Sequence, residues 1–239
     1  MLKWLKKKKH SPMLKRGTEL SVVVPAVLED DRDLYRAVGG MPMIARTLLA
    51  LDQISEVREV VVVIREAELK RIADLCRAFG IQRVRKVVCA RDPGIEALMV
   101  GVYECEAAEY IALHDPLRPF VTEAVFLDAL GAAVRTGAGA PAVAVKDTIK
   151  IVRDGVVEET PDRSTLRILQ TPQMIESSLL KAALCRAKEA GADAADLPTA
   201  LELLGLPLQL AEGSDENMRV AADTDIPVAE TILTKRMYA

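Results

Sequence analysis

The chain has 239 residues, half of them hydrophobic and only 3% aromatic, so its core must be built mainly from Val, Leu, Ile and Ala. The formal net charge of -3 hides an asymmetry: seven Lys/Arg and no acid fall within residues 1–16, and the acidic remainder argues against a general nucleic-acid binder. No apolar run approaches the roughly 18 to 20 residues of a membrane helix, and four cysteines without CxxC spacing beside two histidines argue against a Cys/His metal site.

The opening Met1-Leu2-Lys3-Trp4-Leu5-Lys6-Lys7-Lys8-Lys9 lacks the hydrophobic region of a secretory signal. Residues 1–17 read as a basic, solvated tail; contact with an anionic membrane is the other reading. A reducing cytoplasm is the expected compartment. Residues 18–239 read as one α/β domain, with no internal repeat or linker dividing it.

Within that domain, strands are expected at Leu20–Pro25, Glu59–Ile64, Arg83–Val88, Tyr110–His114 and Pro141–Lys146, each a short aliphatic run between polar segments. Helices are expected at Met43–Leu51, Ala67–Phe79, Gly94–Glu104 and Thr122–Arg135, where apolar residues recur at i, i+3 and i+4. Thr122 is a suitable N-cap, and Glu123 suits the helix dipole. This alternation predicts a single Rossmann-like, mostly parallel twisted sheet with flanking helices, and ligands bind such sheets at the carboxyl ends of the strands.

The pattern changes after Lys146. Thr148–Val152 and Val156–Thr160 flank Arg153-Asp154-Gly155, and Asp-Gly between β-branched runs signals a hairpin. A protruding β-arm is therefore expected at about 147–171, and a lone hairpin should pack on something. Helices at Ser177–Ala190 and Pro198–Leu204, a strand at Leu208–Ala211 and a closing helix at Thr224–Thr234 complete the chain.

Five segments stand in a telling order: His114-Asp115-Pro116-Leu117-Arg118-Pro119, Val145-Lys146-Asp147-Thr148-Ile149-Lys150, Thr160-Pro161-Asp162-Arg163, Gln170-Thr171-Pro172-Gln173 and Asn217-Met218-Arg219-Val220. In that spacing they resemble the methylerythritol phosphate cytidylyltransferases of isoprenoid synthesis. The resemblance runs from about Ser21 to Leu233 and is strongest from Tyr110 onward. It implies attack of a sugar-phosphate oxygen on the α-phosphorus of CTP, with pyrophosphate released and Mg²⁺ as cofactor. It implies that Asp115 lies by the ribose and the metal, which suits a cation that takes one or two carboxylates plus phosphate oxygens. It places Arg118, Thr171 and Asp196 among the substrate-binding residues. It makes the arm of a homodimer carry Thr148 and Arg163 into the neighbour's sugar-phosphate site, where the planar fork of Arg163 suits phosphate. Arg219 stands where the family has a Lys near the α-phosphate, and the resemblance implies Arg219 and Arg163 as the catalytic residues. His114 matches a family position and reads as structural, and Lys150 reads as part of the arm.

Two segments depart from the family pattern. The phosphate loop P-A-A-G-x-G-x-R-M-G followed by P-K-Q is replaced by Pro25-Ala26-Val27-Leu28-Glu29-Asp30-Asp31, about six residues shorter up to Gly40-Met41-Pro42. Such glycines let backbone N–H groups approach phosphates, whereas acids there repel them. The cytosine loop G-G-x-x-R-x-x-S-V-x-x-G reads Ala90, Arg91, Gly94, Ala97, Leu98 and Gly101, keeping only the last glycine. Two functions stay open at this point: a cytidylyltransferase, or a catalytically impaired homologue that binds a sugar phosphate as a regulatory module.

Overall fold

The computed structural model describes residues 19–106, 108–191 and 197–238; the basic stretch 1–17 and Asp196 lie outside the described residues. Among the described residues, twelve strands and seven α-helices follow in chain order: β1 (Leu20–Pro25), β2 (Ala37–Val38), β3 (Met41–Pro42), α1 (Met43–Asp52), β4 (Val57–Ile64), α2 (Leu69–Phe79), β5 (Val84–Cys89), α3 (Ile95–Glu104), β6 (Tyr110–Leu113), α4 (Glu123–Thr136), β7 (Ala138–Ala144), β8 (Ile151–Arg153), β9 (Val156–Glu159), β10 (Arg167–Leu169), β11 (Gln173–Glu176), α5 (Ser177–Glu189), α6 (Leu197–Glu202), β12 (Gln209–Glu212) and α7 (Ile226–Met237). Among the described residues no helix is long and apolar enough to cross a membrane.

The central sheet has eight strands. β5, β4, β1 and β6 lie side by side and parallel. β11 inserts antiparallel between β6 and β7. β12 then adds parallel to the far edge of β7, and β10 adds antiparallel to its second half. The expected α/β architecture is therefore present, with two antiparallel strands that the sequence did not signal. β10 and β11 have three and four residues, and β11 is flanked by Pro172 and a helix start, so their apolar pairs are too short to reveal a period. β7 begins three residues before the expected strand, because Ala138-Gly139-Ala140 is small and precedes a proline.

Alternation along the strands divides the core into two layers. Val22, Val24, Val60, Val62 and Ala112 face α1, α2 and α4, while Val23, Val63, Ile111 and Leu113 face α3 and α5. Burial on both faces is what makes these strands read as unbroken aliphatic runs. The α4 boundaries follow their signals: Thr122 Oγ1 accepts from the Val125 N–H, and Gly137 ends the helix with a left-handed φ of 88°. The arm is the separate two-stranded sheet β8–β9. Its Asp154 and Gly155 have φ of 48° and 79°, as a two-residue hairpin of right-handed twist requires.

Gly101, the last glycine of the 90–101 segment, has a packing role. It lies where α3 crosses β1 and β4, and a Cβ there would strike Val23 Cγ1 and Val63 Cγ2. Both valines are fully buried and have nowhere to move. Gly101→Val should therefore lower unfolding free energy by about 2 kcal/mol, read as a lower urea midpoint at unchanged slope; an unchanged midpoint would contradict this packing.

Candidate functional site

A pocket of about 300 Å³ opens at the carboxyl ends of β1 and β6. Pro25, Val27 and Leu28 form one wall, and Gly94 and Leu98 at the start of α3 form another. The polar side is His114, Asp115, Thr171, Gln173 and Arg219. Three segments distant in sequence thus meet where a parallel sheet binds ligands.

Asp115 is held from several directions. Its Oδ1 accepts from the Leu117 N–H at 2.9 Å, closing the turn into Pro116. Its Oδ2 accepts from Arg219 Nε at 2.9 Å and lies 3.8 Å from Arg118 Nε. The Arg219 side chain stays 48% exposed and lines the pocket, and its Nε is the nitrogen bonded to Asp115. Arg118 sits deeper: its side chain is 12% exposed, and Nη1 donates to the Asn217 carbonyl at 2.7 Å. Burial lowers its pKa from the usual value, opposed by Asp115.

Beneath the pocket lies a polar layer that sequence reasoning left unassigned. The fully buried Asn217 donates through Nδ2 to the Thr171 carbonyl at 2.8 Å. Buried Gln170 donates to the Ser214 carbonyl at 2.8 Å and accepts from its N–H at 3.2 Å. These bonds tie the β10–β11 junction to the 214–219 loop. The signal that marks them is a cluster of polar residues around a proline, as in Gln170-Thr171-Pro172-Gln173.

His114 is buried and bonded on both ring nitrogens. Nε2 lies 3.1 Å from the Arg118 carbonyl, and Nδ1 lies 3.1 Å from Thr171 Oγ1. Burial pushes the imidazole down to about 4, opposed by the Arg118 carbonyl and Asp115.

The shortened loop spends its own acids. Asp31 Oδ1 accepts from the Leu28 N–H at 3.1 Å and from Arg65 Nη1 at 2.6 Å. Asp30 pairs with Arg32 and accepts its backbone N–H, and those bonds hold its carboxyl at about 2. Arg36 is engaged by Asp33 and the Ala221 carbonyl. Arg65 is the residue whose role was invisible in the sequence; its signal is a cation placed directly after the buried β4.

Thr148 and Arg163 do not join this pocket within one chain. Both are exposed, Thr148 before β8 and Arg163 near the root of the arm, where its Nη1 donates to the Lys146 carbonyl at 3.2 Å. Lys150 Nζ donates to Thr160 Oγ1 at 2.7 Å across the arm, in keeping with its reading as an arm residue. Among the described residues no group of three or more His, Cys, Asp or Glu is arranged to hold a metal, and Asp115 is the one carboxylate among them that lines the pocket. A lone carboxylate fits Mg²⁺, which takes its remaining ligands from water and substrate phosphates.

Fold and pocket define an α/β protein with a cationic crevice at the carboxyl ends of its parallel strands. The family model for IspD, 2-C-methyl-D-erythritol 4-phosphate cytidylyltransferase, matches residues 25–235. The 2-C-methyl-D-erythritol 4-phosphate cytidylyltransferase of Geobacillus kaustophilus is 36% identical over 203 residues, covering 85% of this chain and 89% of that protein. The crystal structure of 2-C-methyl-D-erythritol 4-phosphate cytidylyltransferase from Thermus thermophilus aligns with a TM-score of 0.72 at 25% identity, over 90% of this chain and 99% of that one. The 4-diphosphocytidyl-2C-methyl-D-erythritol synthase of Anaerococcus prevotii shares the fold with a TM-score of 0.81 at 24% identity, over 91% and 99%. The chain belongs to the 2-C-methyl-D-erythritol 4-phosphate cytidylyltransferase family of transferases.

The state of His114 sets an acid limit. Its folded pKa of about 4 lies below the ordinary 6.5, so between these values the unfolded chain gains a proton that the folded chain refuses. Stability from this group is complete above pH 6.5 and is lost as pH falls through the window, by roughly 3 kcal/mol in full. Urea unfolding at neutral pH and at about pH 4.5 should show a smaller acid loss for His114→Gln than for wild type; equal losses would refute the assignment.

Proposed function

We propose that this chain transfers the CMP group of CTP to 2-C-methyl-D-erythritol 4-phosphate, releasing pyrophosphate. The observation that carries the reading is the meeting of Asp115, Thr171 and Arg219 in one pocket, in a chain of this family. A sugar-phosphate oxygen attacks the α-phosphorus, a new P–O bond forms, and the bond to the bridging oxygen breaks with its electron pair leaving on pyrophosphate. Such reactions depend mainly on positioning and charge neutralisation. Mg²⁺, held by Asp115, would neutralise phosphate oxygens. Arg219 offers its outer guanidinium nitrogens to the α-phosphate, and Arg118 adds a second cation beside Asp115 for the sugar phosphate. Thr171 completes the substrate contacts.

The shortened loop is compatible with this reading because Asp30 and Asp31 are paired with Arg32 and Arg65. Their charge is compensated within the chain, so it does not stand bare against a triphosphate.

The arm supports assembly of a homodimer. Val152, Val156 and Val157 are 54%, 67% and 53% exposed, and Ile149, Ile151 and Ile168 are also exposed. Val152 and Val157 are cross-strand partners in the two-stranded sheet, and exposed apolar side chains on so small a sheet are stabilised when another surface covers them. A second copy covering them would bring its own Thr148 and Arg163 to the sugar-phosphate end of the neighbour's pocket.

Purified protein given CTP, Mg²⁺ and 2-C-methyl-D-erythritol 4-phosphate should release pyrophosphate. Arg219→Ala and Asp115→Asn should each lower kcat/KM by roughly 10²- to 10³-fold. Absence of pyrophosphate across nucleotides and sugar phosphates would overturn the reading and leave a sugar-phosphate binder. In light scattering the wild type should be a dimer at micromolar concentration, and Val157→Asp should shift it to monomer; a monomeric wild type would remove the arm from the site.

A further inference from the structure

Hydrogen-bond direction around His114 is fixed by chemistry. The Arg118 carbonyl can only accept, so the Nε2 at 3.1 Å from it carries the ring proton. Nδ1 of the neutral ring is then an acceptor, and its partner at 3.1 Å, the Thr171 hydroxyl, must donate to it. With its hydrogen so directed, Thr171 Oγ1 turns a lone pair to the Asp115 N–H at 3.1 Å. The line runs unbroken from the Asp115 amide through a hydroxyl and an imidazole to the Arg118 carbonyl, and Arg118 N–H closes it by donating to the Asp115 carbonyl at 3.1 Å. His114 itself is 1% exposed, and its own N–H is held in the sheet by the Val23 carbonyl at 2.9 Å. The ring is thereby anchored to the rigid end of β6, whereas Thr171 and Asp115 lie on the connections beyond the strands.

We propose that His114 is a positioning residue of this site: its Nδ1 lone pair aims the Thr171 hydroxyl, which in turn fixes the Asp115 backbone and the carboxylate facing the pocket. The proposal builds on the reading of Asp115 and Thr171 as substrate ligands. It assigns His114 no contact with substrate and no proton transfer. Its function is to hold one hydroxyl hydrogen away from Asp115, since a hydroxyl turned the other way would set its hydrogen against the Asp115 N–H.

Three substitutions separate this role from mere filling of space. In His114→Asn the amide oxygen takes the place of Nδ1 and continues to accept from Thr171. In His114→Gln the amide nitrogen takes the place of Nε2 and serves only the Arg118 carbonyl. His114→Leu serves neither. Amide hydrogen exchange at Asp115, read by NMR on the full chain, should accelerate about ten-fold in His114→Leu and His114→Gln and stay near wild type in His114→Asn, as expected for loss of one buried hydrogen bond. In pyrophosphate release, kcat should fall about ten-fold in the Leu and Gln variants with KM for CTP little changed, and the Asn variant should recover most of that loss. Equal Asp115 exchange in wild type and His114→Leu, or an Asn variant no better than Gln, would overturn the proposal. If the wild type releases no pyrophosphate, the proposed activity falls, while the exchange measurement still decides the positioning role.

Discussion

The constraint on which this site depends is the need to satisfy buried polar groups where three connections converge on the end of β6. His114, Gln170 and Asn217 are all buried, and burying such groups is costly unless they are bonded, as the His114 ring nitrogens, the Gln170 amide and Asn217 Nδ2 are. Their partners lie on other segments: the Thr171 hydroxyl for His114, the Ser214 N–H and carbonyl for Gln170, and the Thr171 carbonyl for Asn217. The polar layer therefore acts as a three-way clasp. Release of one member would leave a donor or acceptor bare in low dielectric, so the turn after β6, the β10–β11 junction and the loop after β12 are held in one arrangement. The pocket residues Asp115, Thr171 and Arg219 are carried on those three segments, one on each.

Legibility in the sequence follows from how many neighbours a feature needs. β1 and β4 lie between two helical layers, so their aliphatic runs announce them without reference to anything distant. The arm turn is legible for the same reason, because Asp154-Gly155 states its own backbone conformation. β11 is the opposite case. Met174 and Ile175 are fully buried between β6 and β7, yet nothing in four residues says which strands will flank them. Site residues divide similarly. Asp115, Thr171 and Arg219 stand in the motifs that mark the family, while the compensation of Asp31 by Arg65 joins positions 34 apart and exists only after β1 and β4 pair.

That compensation bears on how the pocket handles charge. A phosphate loop built on glycines offers backbone N–H groups and cations together. Here the equivalent segment turns into a short 3-10 helix, Asp31–Tyr35, whose acidic residues bond inward. The Leu28 N–H is consumed by Asp31, and the Leu28 carbonyl by Arg65 at 2.7 Å. The segment is thereby closed, with Asp30, Asp31 and Asp33 paired to Arg32, Arg65 and Arg36. It shapes the wall of the pocket through Val27 and Leu28, both apolar.

Positive charge in the pocket must then come from the opposite wall, and the residue type at position 219 matters for that reason. An ammonium is a point charge, and drawing it to Asp115 would reduce its field on a phosphate. A guanidinium separates the two duties. Arg219 gives Nε to Asp115 at 2.9 Å, which fixes the plane of the group, and the outer nitrogens remain as a fork suited to phosphate oxygens. Arg118 behind it is anchored to the Asn217 carbonyl two residues before Arg219, so both cations and the carboxylate between them share one rigid support. On the proposed reading, a wall without glycines faces a pre-organised cationic edge, and pre-organisation rather than the number of donors is what electrostatic catalysis requires.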